Sequence, residues 1–438
     1  MKNRLYILFY LLIATILVGC GGEDYKWDTN NTSPLKGKYE SRDKSKDLNL
    51  SQQEKIIQSE AQYALLSDKK AIGIVISVLY DDNKSLSYSY GCETLKSDVI
   101  NSGILTYASG DKENCEKPLL TTNRMKLGSL TKTAVGRTIL DIDNDSTYDF
   151  DLDDLITKHL PSSISSLGDL SGIRVKHLLF HTSGLGEIDF KPNPVEEVLK
   201  RALATKKLGE PGQYYKYNNT GYVLLGQIIE HVTGSASWES EVMSRLNSAL
   251  GTHDFILPER DNANWLETTD TEWMSGKSGT LLDGNSSLAV GYLLYEGTFY
   301  SYLEDPSPNI AHSAGSLIGT VPDVSRWMRE LVTNRSGLLD KSYFDKEVLE
   351  THYQDDYISH LTWNMGPGLG FEQSENAFFH LGAVSGYNCM SIYSKNEKVT
   401  ITACVNGSAN LIELPYNILA EMYPYRASYR TTASTSSH

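Results

Sequence analysis

Met125-Lys126-Leu127-Gly128-Ser129-Leu130-Thr131-Lys132 runs from a short apolar approach into an apolar-rich stretch, Leu130 to Leu140, with helical spacing. Ser-x-x-Lys occurs five times, starting at Ser33, Ser41, Ser67, Ser109 and Ser129, and only the last has this context. A serine in the first turn of a helix sits at the positive end of the macrodipole, among backbone N–H groups the helix leaves free. Lys132 projects from the same face, so its amine can reach the hydroxyl. An amine shielded from water and near other cations loses its proton more readily and then serves as a base. A capping serine beside a solvated lysine has the same letters, so the tetrapeptide needs company.

Two segments supply it. Tyr217-Asn218-Asn219 follows Pro211-Gly212 and precedes a helix expected over Gly221 to Val232. Asn219 or Thr220 would cap that helix in a purely structural reading. As a base near neutrality Tyr217 needs its pKa lowered by about three units, roughly 4 kcal/mol, much of which one shielded lysine can supply. His380-Leu381-Gly382-Ala383 is the only His-x-Gly among the ten histidines, and it opens a strand near the end of the chain. Glycine at Gly382 lets a substrate approach the strand. The N–H of Ala383, with that of Ser129, would then hold a developing oxyanion.

The surrounding chain reads as sheet at both ends with a helical middle. Gln52 to Leu66 has helical spacing, and Ala71 to Tyr80 is a buried strand. Asp81-Asp82-Asn83-Lys84 turns it back into Ser85 to Tyr90. Helical pieces are expected at Val175 to His181 and Pro194 to Leu203. Strands follow at Phe378 to His380, Tyr387 to Tyr393 and Val399 to Val405, and a helix at Leu411 to Met422 closes the fold.

Ser129-x-x-Lys132, then Tyr217-x-Asn219 after 88 residues, then His380-x-Gly382 after 163 more, resembles the ordered triplet of the penicillin-recognising serine enzymes. The branch it is most similar to contains class C β-lactamases, D-alanyl-D-alanine carboxypeptidases, D-aminopeptidases and related esterases. Leu178 to Leu185, Pro211 to Gly226, Ala314-Gly315-Ser316-Leu317 before Asp323, and Gly368-Leu369-Gly370-Phe371 also fit. The resemblance covers residues 53–424. It implies an α+β fold: an antiparallel sheet flanked by helices, with a mainly helical part inserted at roughly 140–305 and the site between. It implies acylation of Ser129, with Lys132 and Tyr217 sharing proton transfer and Ser129 and Ala383 forming the oxyanion hole. Asn219 would bond Lys132 or a substrate amide, and His380 would stand near a substrate carboxylate, where many relatives carry lysine. Imidazole has a reference pKa near 6.5, so activity is expected to change near pH 6 to 7 through His380. The stretch between Cys92 and Cys115 is longer than the resemblance predicts and would either wall the cleft or decorate the surface.

The expected reaction is cleavage of a peptide, amide or ester bond of a small-molecule or peptide substrate. D-amino-acid or cell-wall-like substrates rank ahead of carboxylesters, and β-lactams come third. No Glu-x-x-Leu-Asn appears, which leaves deacylation to Lys132 and Tyr217. A relative that has lost catalysis and binds peptidoglycan or a partner is the alternative. No cofactor is implied, and oligomeric state is not legible.

Lys2 and Arg4 precede an apolar run, Leu5 to Val18, too short to span a bilayer. With Leu17-Val18-Gly19-Cys20 at its end it reads as a lipoprotein signal over residues 1–19, leaving Cys20 as the lipidated N-terminus. Acyl chains on that cysteine, at about 0.8 kcal/mol per buried CH₂, give stable anchoring. Gly21 favours the outer membrane, on its periplasmic side. Residues 20–52 read as a flexible tether and 425–438 as a disordered tail. Export implies oxidising conditions, in which Cys92 and Cys115 can close a disulfide. Cys389 and Cys404 would face each other across a turn at Asn396-Glu397, as a disulfide or as packed thiols.

A net charge of −15, with no basic stripe, argues against nucleic acid as a partner. Asp141, Asp143, Asp145, Asp149, Asp151, Asp153 and Asp154 crowd one segment, but the glycine and glutamate of a calcium loop are missing. That segment reads as a solvated turn. His177 and His181, four apart, read as structural, and no metal site is expected.

Overall fold

The computed structural model describes residues 48–68, 70–103, 105, 114–190, 194–213, 215–251, 255, 257, 288–295, 298–301, 311–350, 364–366, 369–371, 377–411 and 413–423. The leader 1–19, Cys20, most of the tether, Gly368 and the tail 425–438 lie outside the described residues.

Helix α1 (Leu50–Ser67) starts at Asn49, whose side chain accepts the Gln52 N–H while the Gln52 side chain accepts the Asn49 N–H, each at 3.0 Å. This reciprocal cap satisfies two donors that a helix start otherwise leaves to water. Strands β1 (Gly73–Tyr80) and β2 (Ser85–Leu95) form the expected hairpin, with Leu79 opposite Ser85. After β3 (Cys115–Pro118) and β4 (Arg124–Lys126), a 3-10 turn at Gly128–Leu130 leads straight into helix α2 (Thr131–Asp143). Helices α3 (Asn219–Thr233) and α4 (Trp238–Leu250) form the core of the middle region, with the short helices Val175–Leu179 and Val195–Leu203 beside them.

The end of the middle region carries a hairpin of strands β5 (Tyr292–Tyr295) and β6 (Thr298–Ser301). Tyr292 and Phe299 are buried in a small cluster with Cys92, Leu95 and Cys115, and the Leu95 N–H donates to the Tyr292 hydroxyl at 2.9 Å.

Beyond it come β7 (Ile318–Thr320), paired with β4, and helix α5 (Val321–Thr333), capped by the Thr320 side chain. Strands β8 (Asn364–Gly366), β9 (Leu369–Phe371), β10 (Ala377–Val384), β11 (Tyr387–Ser394) and β12 (Val399–Val405) precede helix α6 (Glu413–Met422).

The main sheet has the order β3-β2-β1-β12-β11-β10-β9-β8 and is antiparallel throughout. β1 lies beside β12, so the first and last strands meet in the sheet's middle, and one sheet is built from early and late segments of the chain as expected. Ile74, Ile76 and Val78 face a core with Ile56, Ile57, Ile418 and Leu419 of α1 and α6. Val75, Cys389 and Cys404 face the larger core built with α2, α3 and α5. Burial on both faces explains why β1 is apolar almost throughout rather than alternating. Cys92–Cys115 and Cys389–Cys404 are both disulfides, the second between directly opposed residues of β11 and β12.

The aspartate-rich segment is tied down by ordinary contacts. Asp141 accepts from Arg137 at 2.8 Å, and Asp143 accepts from the Tyr343 hydroxyl at 2.6 Å and the Leu152 N–H at 2.9 Å. Asp154 takes Lys158 and His159, while Asp153 pairs with Lys176.

Candidate active site

Ser129 lies in the 3-10 turn that opens α2, and Lys132 lies one turn later, fully buried. Lys132 Nζ stands 3.0 Å from Ser129 Oγ, 2.7 Å from Asn219 Oδ1 and 2.7 Å from the carbonyl oxygen of Ala314. Two of these partners are carbonyl oxygens that only accept, so each takes an N–H from the amine. The remaining tetrahedral direction points at Ser129: it holds an N–H when the amine is charged and a lone pair when it is neutral. Segments separated by 87 and 182 residues of sequence thus converge on one nitrogen.

Asn219 is delivered by the start of α3. The Asn218 side chain caps that helix by accepting the Gly221 N–H at 2.8 Å, and its amide donates to the carbonyls of Leu185 and Gly186. The Asn219 N–H donates to Glu187 at 3.1 Å. Desolvation pushes the Glu187 carboxyl above its usual range, opposed by that hydrogen bond, by the one from Ile188 and by the Lys132 charge.

Tyr217 lies just before this cap. Its ring stacks on the His181 imidazole, centroids 4.4 Å apart and planes 26° apart, and Lys132 Nζ is 4.9 Å from its centroid. The Ala314 carbonyl is set by a hydroxyl lattice. Ser313 Oγ donates to the Tyr222 carbonyl at 2.8 Å and Ser316 Oγ to that of His312 at 2.7 Å. Thr131 Oγ1 donates to Gly128 O and accepts the Leu317 N–H.

The third segment packs against the first by backbone. Gly128 has φ +53°, and a Cβ there would fall 2.6–2.7 Å from backbone atoms of Ala383. A Cβ on Gly382 would fall 1.9 Å from the Leu127 carbonyl oxygen. Both positions therefore require glycine, and together they bring β10 against the turn that carries Ser129. His380 sits in the middle of β10, not at its start as expected.

His380 corrects a sequence-based expectation. Its Nδ1 lies 2.6 Å from the Leu381 carbonyl, which only accepts, so Nδ1 carries the proton and Nε2 is left as an acceptor. Burial first, and the Lys132 charge second, push its pKa down to about 4. It is therefore neutral across pH 6 to 7 and brings no positive charge to a substrate carboxylate. His181 is likewise held well below its ordinary value by burial, then by Lys132 and His380.

The letters at Ser129, Lys132, Tyr217, Asn219, His380, Gly382 and Ala383 were all legible. The Ala314 carbonyl, His181 and Glu187 were missed as site groups. A backbone acceptor leaves no side-chain trace, and His181 and Glu187 reach the site only through the fold of their loop, where they accept the Asn218 and Asn219 N–H groups.

A model of the beta-lactamase family matches residues 59–419. The chain belongs to that family. Among solved structures it is similar to a D-amino acid amidase from Ochrobactrum anthropi SV3, with a TM-score of 0.65 at 19% identity, covering 86% of this chain and 100% of that one. A D-stereospecific amidohydrolase from Streptomyces sp. gives 0.62 at 20% identity, covering 84% and 98%. These likenesses establish the β-lactamase/transpeptidase-like fold. Penicillin-binding protein 4* of Bacillus subtilis (strain 168) is 32% identical over 142 residues, 29% of this chain and 30% of that protein. Protein flp of Staphylococcus aureus (strain COL) is 29% identical over 135 residues, 29% of this chain and 26% of that protein. The chain thus spans about a third or less of these curated relatives' length.

Proposed function

We propose that this β-lactamase-family chain is a serine hydrolase that forms an acyl-enzyme at Ser129 and cleaves amide or ester bonds of D-amino-acid-type substrates. The carrying observation is Lys132 Nζ, held by Asn219 Oδ1 and the Ala314 carbonyl, with its third direction on Ser129 Oγ at 3.0 Å. In this reading the Ser129 proton passes to the Lys132/Tyr217 pair as Oγ forms a bond to the substrate carbonyl carbon. The N–H groups of Ser129 and Ala383 stabilise the oxyanion. The pair then hands that proton to the departing nitrogen or oxygen as the old bond breaks, leaving the acyl group on Ser129. Water, deprotonated by the same pair, repeats the sequence and frees the acid.

A neutral His380 with Nε2 as an acceptor favours substrates without a carboxylate at that position, which ranks amides and esters above carboxypeptidase substrates and β-lactams. The D-amino acid amidase and D-stereospecific amidohydrolase neighbours agree with that ranking. We also propose that the protein acts outside the cytoplasm, lipid-anchored through Cys20 on the periplasmic side of the outer membrane. Radiolabelled palmitate incorporated into the wild type but not into Cys20→Ser would support the anchor, and equal incorporation in both would refute it.

The catalytic reading is tested with a fluorophosphonate probe and a fluorescent penicillin. Wild-type labelling by the fluorophosphonate that disappears in Ser129→Ala supports it. No labelling of the wild type by either would instead favour a non-catalytic lipoprotein that binds peptidoglycan or a partner. Parallel assays on D-amino-acid amides, p-nitrophenyl esters, D-Ala-D-Ala peptides and nitrocefin then order the substrates.

A further inference from the structure

Residues 215–218 have no regular secondary structure, so no ladder of backbone hydrogen bonds places Tyr217. The neighbours on either side of it bond to a single residue instead. The Lys216 N–H donates to the His181 carbonyl at 2.8 Å, and the Asn218 N–H donates to His181 Nδ1 at 3.0 Å. Between these two anchors the Tyr217 ring lies on the imidazole itself.

His181 is built for this position. It is buried, with Tyr222 tilted against it at 5.0 Å and Tyr215 edge-on at 5.8 Å. Its φ is +58°, in the left-handed region that most side chains avoid. A residue held there at a cost, beside a site, points to a positional role. Nδ1 accepts a hydrogen bond, so the ring must be neutral and carry its proton on Nε2.

We propose that His181 is a positioning residue for Tyr217, setting where the phenol stands relative to Lys132. The proposal rests on the hydrolase reading for its catalytic consequence but not for its geometry. The imidazole acts through Tyr217 and touches no reacting atom, so its loss lowers kcat and leaves KM nearly unchanged.

Two substitutions separate the contacts. His181→Asn keeps an acceptor near Nδ1 and tolerates the left-handed backbone, but removes the stacked ring. His181→Phe keeps the ring and removes the acceptor. Each full-length variant is labelled with ¹³C at tyrosine Cζ, with the Tyr217 resonance assigned by its absence in Tyr217→Phe. Turnover of p-nitrophenyl acetate is measured alongside. The Tyr217 resonance is expected to move in both variants. A displaced reacting group should lower kcat by about 10- to 100-fold, while KM stays within about threefold. If His181→Phe does not fold, His181→Asn decides. A folded variant with both resonance and kcat at wild-type values overturns the proposal. A wild type inert toward ester and fluorophosphonate removes the hydrolase reading alone, and the resonance then decides the positional claim.

Discussion

Lys132 Nζ is 2.7 Å from the carbonyl oxygen of Ala314, a residue 182 positions further along the chain. With Asn219 Oδ1 as the second acceptor, this contact leaves the amine one direction, and that direction meets Ser129.

Lys132→Met keeps the side chain's length and removes the amine. Phosphonylation of Ser129 by the fluorophosphonate, in which Oγ bonds to phosphorus and fluoride departs, should slow by about 10²- to 10⁴-fold, the usual worth of a positioned proton carrier. Labelling kinetics of the purified variant read this directly, and a rate near wild type would remove Lys132 from the proton path.

Gly382→Ala would put a methyl group 1.9 Å from the Leu127 carbonyl oxygen, a clash with backbone that no rotamer relieves. β10 should move away from the Ser129 turn. A melting experiment should show a loss of about 1–3 kcal/mol, and displacement of the Ala383 N–H should cost about 10²- to 10³-fold in kcat. Unchanged melting and turnover would show that the two backbones are not in contact.

His380 makes stability depend on pH. Its pKa is about 4 in the folded chain, against an ordinary value of 6.5. Between those values the unfolded chain binds the proton and the folded chain does not, so stability rises with pH. The contribution is complete above pH 6.5 and is lost progressively as pH falls towards 4, by about 3 kcal/mol in all. Denaturant titrations at pH 4, 5.5 and 7 should show that slope in the wild type and a shallower one in His380→Phe. In the wild type, kcat/KM should show no histidine step at pH 6 to 7; a step there that His380→Phe abolishes would contradict the neutral imidazole.

The Cys92–Cys115 disulfide closes a span of 23 residues. Loop-closure entropy gives it about 3 kcal/mol of stabilisation. Cys92→Ser with Cys115→Ser should lower the denaturant midpoint accordingly, with little change in kcat, because Lys132 and Ser129 sit on a separate element. A large loss of kcat at full folding would instead make that stretch part of the cleft.

Much was legible without coordinates. The nearly continuous apolar run of β1, the hairpin turn at Asp81 to Lys84 and the last three strands follow from local pattern, and β12 spans Val399–Val405 as its β-branched-rich run predicts. The opposition of Cys389 and Cys404 follows from one turn, although bond formation does not. The β5–β6 hairpin leaves no such local pattern, because its strands are short and held by the Cys92–Cys115 cluster rather than by a period of their own.

The letters Ser129, Lys132, Tyr217, Asn219 and His380-x-Gly382 were determined by the sequence, because side-chain chemistry is local and a family's spacing survives in the order of residues. Tertiary structure alone decided that the Ala314 carbonyl completes the lysine site, that His181 grips the segment around Tyr217, and that His380 is neutral. The physical reason is common to all three. A backbone acceptor, a left-handed clasp and a desolvated imidazole draw their properties from groups far away in sequence, and only the packed chain brings those groups within hydrogen-bonding and Coulombic range.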